Sequence, residues 1–214
     1  MTSGLSRSVC GPQLSASVAM ASIALKRTWT STGSDSCLAA VSSTDDATAL
    51  AVAGFVLTML SGDHDAGLSA IDRALALNPS CATAMYLGSV TNAFSGHSAI
   101  AITLADRAQR LSPFDFLAYQ AHLARGTAAM QDRRYDEAAS HYRKAVEANA
   151  SLSSLYFIAA AALALARGRE AAQSFAKAGL EREPSFRFRL FSELMAPVIA
   201  ERLAEGCRLL ELPE

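Results

Sequence analysis

Gly67-Leu-Ser-Ala-Ile71-Asp-Arg-Ala74-Leu-Ala-Leu-Asn-Pro79 is the stretch that decides the fold. A small residue, an apolar one four positions on and an alanine three further on share one face of a helix. Asn78-Pro79 ends that helix, because proline drives the residue before it out of the α region. The same pattern is written three more times. Ala101-Ile-Thr-Leu-Ala105-Asp-Arg-Ala108-Gln-Arg-Leu-Ser-Pro113 is the second copy, and Ala138-Ala-Ser-His-Tyr142-Arg-Lys-Ala145-Val-Glu-Ala-Asn149 the third. Ala171-Ala-Gln-Ser-Phe175-Ala-Lys-Ala178-Gly-Leu-Glu-Arg-Glu-Pro184 is the fourth. The copies start at Gly67, Ala101, Ala138 and Ala171, a nearly constant interval. Self-similarity at such a period signals an array in which each unit buries its face on the next.

Working outward, breakers recur at Ser61-Gly62-Asp63, Ser95-Gly96, Asp132-Arg133 and Gly168, between the proline stops. The segments they leave are about the length of a globular helix. Ser43-Thr44-Asp45-Asp46 supplies N-cap residues and early-turn acids at the start. Composition agrees. Of 214 residues, 51% are hydrophobic, 18% charged and 44 are alanine, the best helix former. The expected class is all-α. A collagen-like, disulfide-stapled or wholly disordered chain is excluded. A net charge of −1 gives no global field to draw in nucleic acid or an anionic membrane. The longest apolar run, Leu155–Ala166, is too short for a bilayer span, which takes about 20 residues. The cysteines at 10, 37, 81 and 207 lack the close spacing of zinc or redox motifs. Free thiols and a cytoplasmic setting are the expectation. Residues 1–43 differ, with 11 Ser, 4 Thr and no sustained periodicity, and read as a disordered leader.

The repeats resemble the tetratricopeptide repeat (TPR), a helix-turn-helix of about 34 residues. The resemblance covers roughly 44–184 and implies an α-solenoid of about four repeats. It places Gly62 and Gly96 at the turns between the two helices of a repeat, and Tyr142 and Phe175 between neighbouring repeats. Gly67 replaces the usual alanine and weakens its helix by up to about 1 kcal/mol. Arg125 stands where the family has a buried leucine. Residues Ser112–Phe116 lengthen the second connection. Beyond Pro184, Phe186–Leu194 and Val198–Leu210 read as two more helices, with Pro197 in the first turn of the second. Val198, Ile199, Leu203, Cys207 and Leu210 are spaced for a buried stripe, so 185–214 is expected to cap the last repeat.

Shorter phrases narrow the resemblance. Asp-Arg-Ala-Leu-Ala-Leu-Asn-Pro (72–79), Arg-Leu-Ser-Pro-Phe-Asp (110–115), Arg-Arg-Tyr-Asp-Glu-Ala-Ala (133–139) and Leu-Glu-Leu-Pro-Glu (210–214) are similar to the TPR region attached to bacterial class III adenylate/guanylate cyclases and some winged-helix regulators. No strand-rich region able to carry a cyclase's metal-binding acids accompanies them. The resemblance therefore implies a regulatory or protein-binding appendage, either an interaction module or a fragment lacking its catalytic or DNA-binding domain.

Residues suited to catalysis or metal binding are few. Asp63-His64-Asp65 suggests a metal cluster, but adjacent side chains diverge at a helix start, so a cap with a solvated histidine is the better reading. His122 and His141 lie on helices without an acid or cysteine three or four residues on. No phosphate loop, nucleophile elbow or HExxH occurs. Phe186-Arg187-Phe188-Arg189 interleaves rings and bases, and reads as a junction with its rings inward. No catalytic residue, metal or cofactor is expected, and the chain is expected to be non-enzymatic, with no nucleic-acid or membrane partner. The remaining surface is the face of the first helices. The resemblance puts Val52, Val56, Met59, Tyr86, Val90, Phe94, Leu123, Thr127, Tyr156 and Leu163 along it. These positions lack Lys and Asn, so the expected partner is an apolar peptide or amphipathic helix.

Overall fold

The computed structural model describes residues 44–213. Four helix pairs follow in order: α1 (Ala47–Val56) with α2 (His64–Leu77), α3 (Ala82–Phe94) with α4 (Ser98–Leu111), α5 (Ala118–Gln131) with α6 (Tyr135–Ala148), and α7 (Ser153–Leu165) with α8 (Arg169–Arg182). A short α9 (Phe188–Ser192) and α10 (Pro197–Leu209) complete the chain. There is no strand among the described residues. The leader, with Cys10 and Cys37, lies outside them.

Each turn inside a pair is built alike. Gly62, Gly96, Arg133 and Arg167 take φ of 67, 86, 60 and 63°. This left-handed residue lets the next N–H reach back across the turn and satisfy an end carbonyl of the first helix. His97 N–H donates to Asn92 O at 2.8 Å, Arg134 N–H to Ala129 O at 2.9 Å and Gly168 N–H to Leu163 O at 2.9 Å. The first repeat varies the device. Leu57–Ser61 widens into a π-helical turn, and the Gly62 and Asp63 N–H groups both reach Leu57 O. At the opposite ends, Asn78 Oδ1 accepts from Ser80 N–H, and Asn149 Oδ1 from Ser151 N–H, closing the turns into the next repeat. Asp46 and Asp63 cap α1 and α2 by accepting from Ala49 and Ala66 N–H.

The small residues lie at the contacts between paired helices. Gly67, Ala101 and Ala138 are buried with Ile71, Ala105 and Tyr142 and with Ala74, Ala108 and Ala145. In the fourth repeat the buried set is Ala172, Ala176 and Gly179. The sequence alignment therefore needs one correction. Ala171 is exposed, and Phe175 and Ala178 are half-buried. The left-handed turns set the true register, and the step from Arg133 to Arg167 carries Ala138 to Ala172.

Gly67 needs a second correction. A Cβ there would lie 2.1 Å from Thr58 Oγ1 and 2.8 Å from Gly54 O, so glycine is what lets α2 reach α1. Arg125 keeps its charge at the repeat boundary by pairing with Asp106 of α4 at 2.6 Å. The Ser112–Phe116 connection projects Phe114, fully exposed, and Phe116, half-exposed.

The C-terminal elements fold back onto the repeats. Phe186 stacks on Phe157 of α7 with centroids 3.5 Å apart. Arg187 and Arg189 are exposed while Phe186 and Phe188 are buried, as the junction reading expects. The predicted helix over 186–194 shortens to α9. Ile199, Leu203 and Cys207 form a buried stripe on α10, Leu210 is half-buried, and Val198 faces outward. The surface that α10 covers is not only the end of the last repeat. It packs on both α5 and α7, two first helices that barely touch one another directly.

Candidate binding groove on the first helices

The first helices present one apolar face because their residues at i, i+3 and i+4 fall on a common line. On that face Phe55 and Met59 of repeat one, Val90 and Phe94 of repeat two, Tyr119, Gln120 and Leu123 of repeat three, and Leu155 and Ile158 of repeat four surround one cavity. Leu152 and Ser154 complete its wall, and Leu194 of the C-terminal segment closes it. The free volume left is about 40 Å³. That holds a water or two, against several hundred Å³ in a typical ligand pocket.

The structure divides the sequence-predicted residues into three groups. Met59, Val90, Phe94 and Leu123 come together at the cavity. Val52, 42% exposed, and Val56, half-buried, continue α1 beyond it as an open end. The other four sit elsewhere. Tyr86 is fully buried, and its hydroxyl donates to Ser112 O at 2.7 Å. Burial raises its pKa, with Asp115 adding to the effect. Thr127 is buried, donates to Leu123 O and accepts from Tyr142 OH. Tyr156 faces α8, beside Phe175 and under the Arg182 guanidinium at 4.3 Å. Leu163 packs at the α7 end near Gly168.

Sequence reasoning missed Phe55, Tyr119, Gln120, Leu155, Ile158 and above all Leu194. Phe55, Tyr119 and Gln120 were legible in principle, as helical neighbours of Val52, Met59 and Leu123 three or four residues away. Gln120 is a polar residue in this apolar wall, 2% exposed. Its Nε2 donates to Tyr119 OH at 2.9 Å, while its Oε1 has no partner among the described residues. Burial pushes the Tyr119 pKa up to about 12, so its hydroxyl stays protonated.

Other polar clusters are less organised. His64 is not solvated as expected, since its Nδ1 lies 2.7 Å from Ser95 Oγ across the first two turns. His122 and His141 stack across α5 and α6 with centroids 6.0 Å apart. Desolvation first, then Arg125, His141 and Lys144, pushes the His122 pKa down to about 4. Burial, Arg125 and Lys144 lower that of His141, against Glu137. Among the described residues no group of three or more His, Cys, Asp or Glu side chains is placed to hold a metal. Burial lifts the Cys207 pKa to about 12, which keeps its thiol unreactive. No described helix is long and apolar enough to cross a membrane.

Solved structures share the helical fold. The type IV pilus biogenesis factor PilW superposes with a TM-score of 0.62 at 15% identity, over 94% of this chain and 90% of its own. MamA 41-end from Desulfovibrio magneticus RS-1 gives 0.55 at 17%, over 78% and 96%. A MamA RS-1 double mutant gives 0.53 at 18%, over 78% and 96%. The fold is a TPR-like α-solenoid. At these identities the likeness concerns the fold alone, and no family model and no curated relative matches the chain. On the face of the first helices, the cavity is lined from all four repeats and from Leu194 of the C-terminal segment.

Proposed function

We propose that the chain is a non-enzymatic protein–protein interaction module that takes an apolar peptide or one face of an amphipathic helix along its first helices. The observation that carries this reading is the convergence of apolar side chains from all four repeats on one face. Apolar anchors from separate repeats suit an elongated partner, which gains contacts at every repeat it crosses. Val52 and Val56 form the accessible end of that face.

The test is site-specific photo-crosslinking in native extract. A crosslinker at Val52 should capture a defined partner, and one at Leu77, exposed on the second helix of the same repeat, should not. Equal capture at both positions defeats the reading. The phrases shared with cyclase- and regulator-attached repeats motivate a narrower version, in which the partner is a catalytic or DNA-binding domain encoded alongside. An upstream reading frame for such a domain, in any frame, supports that version, and unrelated upstream sequence removes it.

A further inference from the structure

The groove already has an occupant. Leu194 is 1% exposed and lines the same cavity as Met59, Val90, Phe94 and Leu123. Two residues on, Ala196 N–H donates to Phe94 O at 2.7 Å. Phe94 is the last residue of α3, so its carbonyl is one of the helix-end acceptors that no helical N–H can reach. The segment thus offers what a bound peptide would offer, an anchoring side chain and a main-chain donor. It then continues as α10 across α5 and α7. A Cβ on Gly206 would lie 2.4 Å from Ala161 O and 2.8 Å from Ala161 C, so the two helix backbones are in direct contact there. A helix serving only to cap the last repeat has no need to send a leucine back to repeats one and two.

We propose that the segment from Glu193 to Leu209 is an intramolecular pseudo-ligand of the groove, and that a partner binds by displacing it. The displacing partner presents the same chemistry: a leucine-sized side chain, then a small residue whose N–H reaches the Phe94 carbonyl. This rests on the groove reading above. The remaining space of about 40 Å³ cannot receive a leucine side chain while Leu194 is seated.

The test uses the full-length chain and a fluorescein-labelled peptide of residues 188–209 carrying Cys207→Ser, followed by anisotropy. Gly206→Val drives a branched side chain into the Ala161 backbone and should release α10 without altering the groove wall. We expect the variant to bind the peptide at least tenfold more tightly than the wild-type chain. Gly96→Cys with Ala196→Cys provides the converse. A Cβ at Gly96 lies 3.6 Å from Ala196 Cβ, within the Cβ separation of a disulfide. The oxidised form should lose peptide binding and dithiothreitol should restore it. Any strain at the left-handed position 96 is common to both redox forms and cancels. Equal affinity of the wild-type chain, the Gly206→Val variant and the oxidised variant overturns the pseudo-ligand and leaves the groove reading standing. If hydrogen exchange shows 194–209 released and the peptide still fails to bind, the groove reading falls with it. Should Gly206→Val not fold, the redox pair decides alone.

Discussion

Replacing Gly67 by alanine separates two physical accounts with opposite signs. Helix propensity alone makes Gly→Ala in the α2 interior stabilising by about 1 kcal/mol. Packing reverses this. The added methyl would lie 2.1 Å from Thr58 Oγ1 and 2.8 Å from the Gly54 carbonyl oxygen. The threonine is fully buried and its hydroxyl donates to Gly54 O at 3.2 Å, so neither obstacle yields without cost. The same contact seen from the other side puts a Cβ on Gly54 2.7 Å from Gly67 O. Overpacking of this kind costs about 1–3 kcal/mol. Set against the propensity gain, the net is a loss of up to about 2 kcal/mol, or up to roughly 8 °C in Tm for a chain of this size. Thermal unfolding by circular dichroism reads it directly. Thr58→Ala removes the nearer obstacle only, so Gly67→Ala should cost less in that background, by about 1 kcal/mol of coupling. A raised Tm for Gly67→Ala, or no coupling to position 58, refutes the close-contact account.

Two other outcomes are expected. Arg167→Gly should raise Tm by about 2–8 °C, because an L-residue at φ 63° carries about 1–2 kcal/mol that glycine avoids; an unchanged or lower Tm defeats this. The His122–His141 pair should make stability fall with acid. Both pKa values are depressed in the folded chain, so the unfolded chain binds more protons below the ordinary histidine value of 6.5. The contribution is complete above pH 6.5 and is lost as pH drops toward 4. His122→Gln with His141→Gln should therefore narrow the Tm difference between pH 7 and pH 5, and an unchanged difference removes the pair from the account.

The repeat is legible because it is carried by chain-local features. Small residues at helix spacing and the Asn-Pro and Gly breakers are each visible within a short stretch of chain. The register of the fourth repeat is misread from sequence because alanine surrounds it. Ala171, Ala172, Ala176 and Ala178 satisfy a small-residue pattern in either frame, and only the left-handed turn at Arg167 decides between them. Arginine does not announce a left-handed turn as Gly62 and Gly96 do. The groove is half legible for a related reason. Helical spacing places a residue on a face, which finds Met59, Val90, Phe94 and Leu123. Tyr86 and Thr127 share the helices but turn toward Ser112 and Tyr142, and partners 26 and 15 residues distant are not written in spacing. Leu194 lies two repeats further along the chain than Leu123, and only the folded chain brings them together.

An occupied groove sets a quantitative condition on any partner. A tethered segment acts at an effective concentration of the order of millimolar. A free peptide making identical contacts at micromolar concentration is therefore outcompeted by about a thousandfold, or roughly 4 kcal/mol. The partner must recover that from contacts the chain's own segment does not make, and two are present. Val52 and Val56 extend the apolar face beyond the part that Leu194 fills, and since both are already more than half covered, burying the rest of each is worth about 0.5–1.5 kcal/mol. Gln120 Oε1, buried in the cavity wall and unpaired among the described residues, would accept from a donor next to the anchoring leucine, at a net gain of about 1 kcal/mol. A sequence that reaches both recovers about 2–4 kcal/mol and comes level with the tether at best, and one that supplies only a leucine and a main-chain N–H does not. Self-occupation thereby selects for partners long enough to start at α1, which Leu194 alone could not do by affinity.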